Sequence, residues 1–94
     1  MLTLPIKKKW FDMIKSGEKK EEYREIKPYY DSRLLGYYNT YLEPLIIFRN
    51  GYSSDSPKIR CRIKVETGYG KPEWGAEPNK LYYVLKILSV EEAK

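Results

Sequence analysis

Charged side chains that could transfer protons or bind an anion are concentrated between Glu18 and Glu25. Seven of these eight residues carry a carboxylate, an ammonium or a guanidinium group, and the signs are mixed. The chain has no histidine, which excludes imidazole general bases and most zinc sites of the hydrolase kind. Proton transfer would therefore depend on Lys, Glu, Tyr and Arg side chains, and we expect no metal or other cofactor.

The order of these charges favours a strand over a helix. On a helix surface residues four apart are neighbours, and every charged pair at that spacing would repel. These pairs are Glu18–Glu22, Lys20–Arg24 and Glu21–Glu25. In a strand residues two apart share a face, and neighbouring charges on each face are then opposite in sign. Glu and Lys are uncommon in β-strands, so a strand this rich in them departs from the usual sequence preference. Such departures often occur at functional sites.

A strand and a helix are predicted just before this stretch. Leu2–Leu4 is predicted to be a short strand, and Pro5 suits the first position of a helix. Ile6, Trp10, Met13 and Ile14 then form one apolar stripe that ends at Gly17, a residue that accepts the left-handed conformation at a helix end. The lysines at 7–9 would lie in the first turn, where they serve either solubility or the capture of a phosphate.

The rest of the chain predicts further strands and a second helix. Pro28–Leu35 is predicted to be a short helix, and Glu91–Lys94 a tail. The predicted strands are Leu45–Phe48, Lys58–Thr67 and Leu81–Val90. Ninety-four residues allow one domain, which we place at 1–94. The chain is thus expected to be an α+β domain with one main helix after the first strand and a short second helix.

Composition favours an intracellular protein with an anionic partner. The net charge of +5 suits nucleic acid, although a soluble protein needs some net charge in any case. A single cysteine, Cys61, excludes an internal disulfide and fits a reducing cytosol; its place on the apolar side of a strand favours a buried, inert thiol. No stretch approaches membrane-spanning length. We expect a cytoplasmic monomer or weak dimer.

The charged stretch also carries a family resemblance. Gly17-x-Lys19-x-x-Glu22-x-Arg24 matches the pattern G-x-K-x-x-E-x-R and resembles the ASCH domain family. Supporting segments are Trp10–Ile14, Phe48–Tyr52, Trp74–Ala76 and Tyr83–Ile87. The resemblance covers nearly the whole chain and is to small single-domain ASCH proteins of bacteria and phages. It implies a small, closed PUA-like β-barrel of five to six mixed strands.

In ASCH proteins the signature lines a cleft between the barrel and the helix. The resemblance therefore implies that Lys19, Glu22 and Arg24 point into or border this cleft. Lys19 and Glu22 have opposite strand parity, so both can reach it only if a bulge or twist intervenes. Arg24 could present its planar fork to a phosphate or a base edge. Glu22 could accept from an amino group, act as a general base, or do no more than pair with Arg24.

Five further residues are candidate contacts for a nucleic acid or nucleoside. They are Arg49, Tyr52, Arg60, Arg62 and Trp74. The cations of Lys58–Thr67 that lie opposite its apolar face could form a nucleic-acid track or protect an exposed sheet edge. Trp74, in a loop rich in glycine and proline, is an anchor or a stacking platform. Five of the ten tyrosines lie between Tyr29 and Tyr41, where they could stack bases or cover a barrel end.

These features predict an RNA- or modified-nucleoside-binding domain, with a small hydrolase as the alternative. One branch of the ASCH family is assigned amidohydrolase activity on N4-acetylcytidine, with a lysine and a threonine at the positions of Lys19 and Glu22. Glu22 replaces that hydroxyl, so the reaction cannot simply be transferred. A Lys19–Glu22 pair could still activate a water molecule, with Glu66 or Glu73 as helpers. Ribonuclease activity, also reported in the family, is a third possibility.

Overall fold

The strand that begins at Lys58 lies at the centre of the fold. The computed structural model describes residues 1–92, and in it this strand buries Ile59, Cys61, Ile63 and Val65 on one face. In chain order the elements are β1 (Thr3–Ile6), α1 (Lys8–Lys15), β2 (Glu21–Glu25), α2 (Pro28–Leu34), a 3₁₀ turn (Leu35–Tyr37), β3 (Leu45–Asn50), β4 (Lys58–Tyr69), a 3₁₀ turn (Pro72–Trp74) and β5 (Leu81–Glu92). The α+β class, with a mixed five-stranded sheet and two helices, is confirmed.

The sheet is open, and the prediction of a closed barrel is wrong. Its strand order is β1-β3-β4-β5-β2, with β1 parallel to β3 and the other neighbours antiparallel. The edge strands β1 and β2 do not form backbone hydrogen bonds with each other. A side chain connects them instead: Nη2 of Arg24 in β2 donates to the carbonyl of Pro5 in β1 at 3.0 Å. Proline lacks the N–H that a further strand pair would need and is typical of edge strands.

The first helix begins later than predicted. Pro5 and Ile6 continue β1, where they pair with Arg49 and Asn50 of β3, so the prediction that Pro5 starts the helix is wrong. Extended backbone persists to Lys7, and α1 begins at Lys8. At the other end of the chain, Glu91 and Glu92 belong to β5 instead of the predicted tail. The last two residues of that tail, 93 and 94, lie outside the described residues.

Both helices pack on the same apolar core. Helix α1 buries Phe11 and Ile14 against it, and α2 buries Leu34. Cys61 is a free, fully buried thiol, as expected, and burial raises its pKa to about 12. Within residues 1–92 no helix is long and apolar enough to span a membrane.

A hydrogen bond between a tyrosine and a carboxylate fastens α2 to the sheet. The Tyr83 hydroxyl, on β5, donates to Oδ1 of Asp31 at 2.5 Å. This bond, helped by burial and the carboxylate charge, raises the pKa of Tyr83 to about 12. Because an unfolded tyrosine titrates near pH 10, the native state holds this proton more tightly than the unfolded state does.

Alkaline unfolding should report this bond. A group whose pKa is raised on folding contributes stability that is fully present below its unfolded pKa and is lost as pH rises through the folded value. We therefore expect the wild type to lose stability between about pH 10 and pH 12 more steeply than Tyr83→Phe does. Urea unfolding at a series of pH values measures the difference. Equal slopes for the two proteins would show that the hydrogen bond does not form in solution.

Candidate functional site

Lys19 is the most deeply buried charged group near the predicted signature. It precedes β2, in residues 18–20, which are not part of a strand. The alternation of side chains along β2 therefore does not fix the direction of the Lys19 side chain, and the bulge considered above is not needed to bring Lys19 and Glu22 together. Its side chain is 0% exposed. The ammonium donates to the carbonyls of Glu21 and Trp74, each at 2.7 Å, and pairs with Oε1 of Glu22 at 3.2 Å.

These three acceptors use all three ammonium protons of Lys19. Burial lowers the pKa of Lys19, and the charge of Glu22 opposes that effect. The rings of Trp10 and Tyr23 lie 5.0 and 4.9 Å from Nζ and shield it from solvent. Lys19 therefore binds the loop that carries Trp74 to the start of β2, and has no proton left to offer a ligand.

Glu22 joins the two cations of the signature. It is 7% exposed; one oxygen faces Lys19, and Oε2 accepts from Nη2 of Arg24 at 2.7 Å. The Arg24 side chain also donates from Nη1 to the Tyr30 hydroxyl at 3.2 Å and from Nη2 to the Pro5 carbonyl. Desolvation acts to lower the pKa of Arg24, but Glu22 and Tyr30 outweigh it and the pKa is raised. Both side chains are thus held in one orientation.

Two adjoining cavities meet at this ion pair, and together we call them the cleft. Their volumes are about 480 and 430 Å³, and both are lined by Trp10, Glu22 and Arg24. The remaining walls of the first cavity are Pro5, Ile6, Lys7, Lys8, Asn50, Gly51 and Tyr52. Those of the second are Tyr23, Glu25, Tyr30, Trp74, Gly75, Glu77, Lys80 and Tyr82. Each volume is in the range of small-molecule sites.

Two glycines allow the loop after β4 to close one side of the cleft. A Cβ at Gly70 would lie 2.6 Å from Cβ of Ala76 and 2.7 Å from the Tyr23 ring. Gly75 has φ of +99° and brings its backbone against Trp10, 3.0 Å from where a Cβ would be. Tyr23 helps to hold the loop, since its hydroxyl accepts from the Lys71 N–H at 2.9 Å. A larger side chain at Gly70 would push the loop away from Tyr23, and one at Gly75 would push it away from Trp10.

The structure separates the predicted contacts into three groups. Glu22, Arg24, Tyr52 and Trp74 line the cleft, whereas Lys19 lies behind its wall. Arg49, Arg60 and Arg62 do not line it.

The sheet register explains why these arginines are absent from the cleft. Glu22 pairs with Leu85, which pairs with Val65, so Glu22 shares the face of β4's buried residues. Arg60 and Arg62 point to the opposite, outer face. Arg49 pairs with Lys58 of that outer row, and its Nε donates to the Gly51 carbonyl at 3.1 Å.

Several cleft residues were not singled out from the sequence. Trp10 was assigned to an apolar stripe and to a segment that supports the family resemblance, yet its partial exposure and its closeness to Gly75 put it at the centre of the cleft. Tyr30 was noted only as one of five tyrosines that could stack bases, and no local pattern connects it with Asn50, Lys80 and Tyr82, which lie in other parts of the chain. The proposed helpers lie elsewhere: Glu66 pairs with Lys86 at 3.2 Å, and Glu73 is exposed and absent from the cleft walls.

Comparisons with protein-family models, curated proteins and solved structures found no match for this chain. Within residues 1–92 no group of three or more His, Cys, Asp and Glu side chains is arranged to hold a metal ion.

Proposed function

We propose that the chain is an RNA- or modified-nucleoside-binding domain of the ASCH type, and that the cleft receives the base. The observation that carries this proposal is the Glu22–Arg24 pair, which is largely buried, oriented by other residues and shared by two cavities with aromatic walls. The Arg24 guanidinium is a donor and the Glu22 carboxylate beside it is an acceptor. Together they complement a base edge that presents an acceptor next to a donor.

Both members of the pair keep hydrogen-bonding capacity for a ligand. A carboxylate has about four acceptor sites, and the two cations beside Glu22 use one on each oxygen. Nε of Arg24 is buried and has no hydrogen-bond partner among the described residues. The guanidinium has five N–H donors, and three are used in bonds to Tyr30, Pro5 and Glu22.

Aromatic rings and exposed cations supply the other contacts that a nucleotide needs. Trp10 lines both cavities, Tyr30 and Tyr82 line the second, and Tyr52 lines the first. Stacking of a base on such a ring contributes about 1–3 kcal/mol. Lys7 and Lys8 are exposed at the wall of the first cavity, where they favour an anionic group such as a phosphate.

The curvature of the sheet supports the PUA-like part of the proposal. The bond from Arg24 to the Pro5 carbonyl requires the two edge strands to approach within the length of one arginine side chain. We propose that this open sheet is a PUA-like fold in which β1 and β2 lie close without pairing, with the cleft between them.

The burial of Lys19 supports binding over hydrolysis. An acid–base lysine must exchange a proton with substrate or water, whereas the Lys19 ammonium is 0% exposed and has three protein acceptors. Glu22 is the carboxylate that lines both cavities, and it is the residue on which a hydrolytic reaction would depend. Turnover of acylated nucleosides that Glu22→Gln abolishes without loss of nucleoside binding would establish the hydrolase instead.

Intrinsic fluorescence gives a direct test, because the two tryptophans of the chain, Trp10 and Trp74, both line the second cavity. Titration at low salt with nucleosides and nucleotides, including N4-acetylcytidine, should give a saturable change. Arg24→Lys keeps the charge but removes the fork, and should weaken binding by about tenfold or more.

The matched control is Arg33→Lys, the same change at an exposed site on α2 outside the cleft. It should bind as the wild type does, and circular dichroism should show that both variants are folded. The proposal is overturned if no ligand in the panel gives saturable binding, or if Arg24→Lys binds as tightly as Arg33→Lys.

A further inference from the structure

The outer face of β4 carries a row of cations that the cleft does not use. Lys58, Arg60, Arg62 and Lys64 alternate with buried apolar residues, so all four project from the same side of the sheet. At about 3.3 Å per residue the row spans about 20 Å. It lies on the face of the sheet opposite Glu22 and Arg24, and is therefore a separate surface.

The charge of this row is only partly neutralised. In the outer-face register, Arg49 of β3 lies beside Lys58 and Lys86 of β5 lies beside Lys64. Of the neighbouring carboxylates, Glu66 pairs with Lys86, and Glu91 lies opposite Arg60 in the register. Neither Arg60 nor Lys64 forms an ion pair within the described part of the chain, and Nε of Arg60 is buried without a hydrogen-bond partner there.

The row ends at a cavity with tyrosine walls. This cavity, of about 550 Å³, is lined by Lys64–Thr67 of β4 and by Tyr38–Tyr41 from the connection before β3. The Tyr38 hydroxyl accepts from Oγ1 of Thr67 at 3.3 Å, which holds this connection against the strand. Tyr41 is 102% exposed, so its ring contacts almost nothing in the protein and is available to stack on a base.

We propose that the outer face of β4 is a second binding site, for single-stranded RNA. The sugar–phosphate backbone lies along the cation row, and one unstacked base enters the tyrosine cavity. Cations in a row favour a polyanion of any sequence, and the ring favours a single strand because bases in a duplex are already stacked. The site is independent of the cleft, which takes a single base or nucleoside.

Salt dependence of binding tests the cation row. Affinity for a uridine oligomer of about 12 nucleotides is measured at several salt concentrations by fluorescence anisotropy. Each phosphate contact contributes about 0.7 to the slope of log affinity against log salt for a single strand. The variant Arg60→Gln/Arg62→Gln/Lys64→Gln should therefore reduce the slope by about 2. The control Lys9→Gln/Lys20→Gln/Arg33→Gln removes three exposed cations that line none of the three cavities, and should leave the slope unchanged.

Tyr41 provides a second measurement that does not depend on charge. Tyr41→Ala should weaken oligomer binding by about tenfold without changing the salt slope, and Tyr41→Phe should restore the affinity. Its exposure makes unfolding an unsuitable explanation for any loss. A wild type that does not bind the oligomer at low salt, or equal slopes for the row and control variants, overturns the proposal. The cleft is tested separately by mononucleoside titration, which the row variant should not alter.

Discussion

Glu22→Gln is expected to lower the free energy of unfolding by about 3–5 kcal/mol. The substitution keeps the shape of the side chain but removes the only carboxylate within ion-pair distance of Lys19 and Arg24 among the described residues. Both cations would remain largely buried and would repel one another. Since a domain of this size is stabilised by about 5–14 kcal/mol in total, the variant should lose a large share of its stability.

Glu25→Gln is the matched control for this prediction. It makes the same chemical change on the same strand, but its side chain is exposed and pairs with Lys27 and Lys80 in solvent. Exposed ion pairs contribute little, so this variant should unfold much as the wild type does. Urea unfolding at neutral pH compares the two. A Glu22→Gln protein as stable as Glu25→Gln would show that the buried pair does not form.

The same variant should also change how stability depends on pH. Without the charge of Glu22, burial would lower the pKa of Lys19 further than in the wild type. Between that pKa and the unfolded value near 10.4, the unfolded state would bind more protons than the native state. The free energy of unfolding contributed by this group should then rise with pH, and it should rise over a wider range of pH in Glu22→Gln than in the wild type.

Lys19→Met is the second substitution with a large expected effect. Methionine keeps most of the volume, but the carbonyls of Glu21 and Trp74 lose their donor. Leaving two partly buried carbonyls without a donor costs about 2–6 kcal/mol in all. The loop that carries Trp74 should also loosen, so a glutamate-specific protease should cleave the native variant after Glu73, an exposed loop residue, faster than it cleaves the wild type.

Lys20→Met is the control for this substitution, because Lys20 is the adjacent residue and is exposed. It should change neither stability nor cleavage after Glu73. If Lys19→Met kept the stability and protease resistance of Lys20→Met but lost nucleoside binding, Lys19 would contact the ligand directly. Its role as a support for the cleft wall would then be wrong.

The sequence predicted the local structure well where charges or apolar residues decided it. Repulsion between residues four apart identified β2, and alternation identified β4. The burial of Lys19 could not be predicted, because a fully buried lysine is rare and this one depends on a carbonyl 55 residues away at Trp74. Arg60 and Arg62 lie away from the cleft because of the way β4 and β5 pair with their neighbours. The residue pattern of one strand shows which side chains share a face, but not which face meets the cleft. The prediction of a closed barrel was wrong because β1 and β2 do not pair through their backbones. They are connected by the Arg24 side chain, which donates to the Pro5 carbonyl.

A crystal structure of the protein soaked with the nucleoside that binds most tightly in the titration tests the cleft most directly. We predict that the base lies beside Trp10, with hydrogen bonds to the Glu22 carboxylate and to the Arg24 guanidinium. The same soak of Arg24→Lys should show lower ligand occupancy in the cleft. Ligand bound at another surface, or a base that contacts neither Glu22 nor Arg24, would contradict the proposed site.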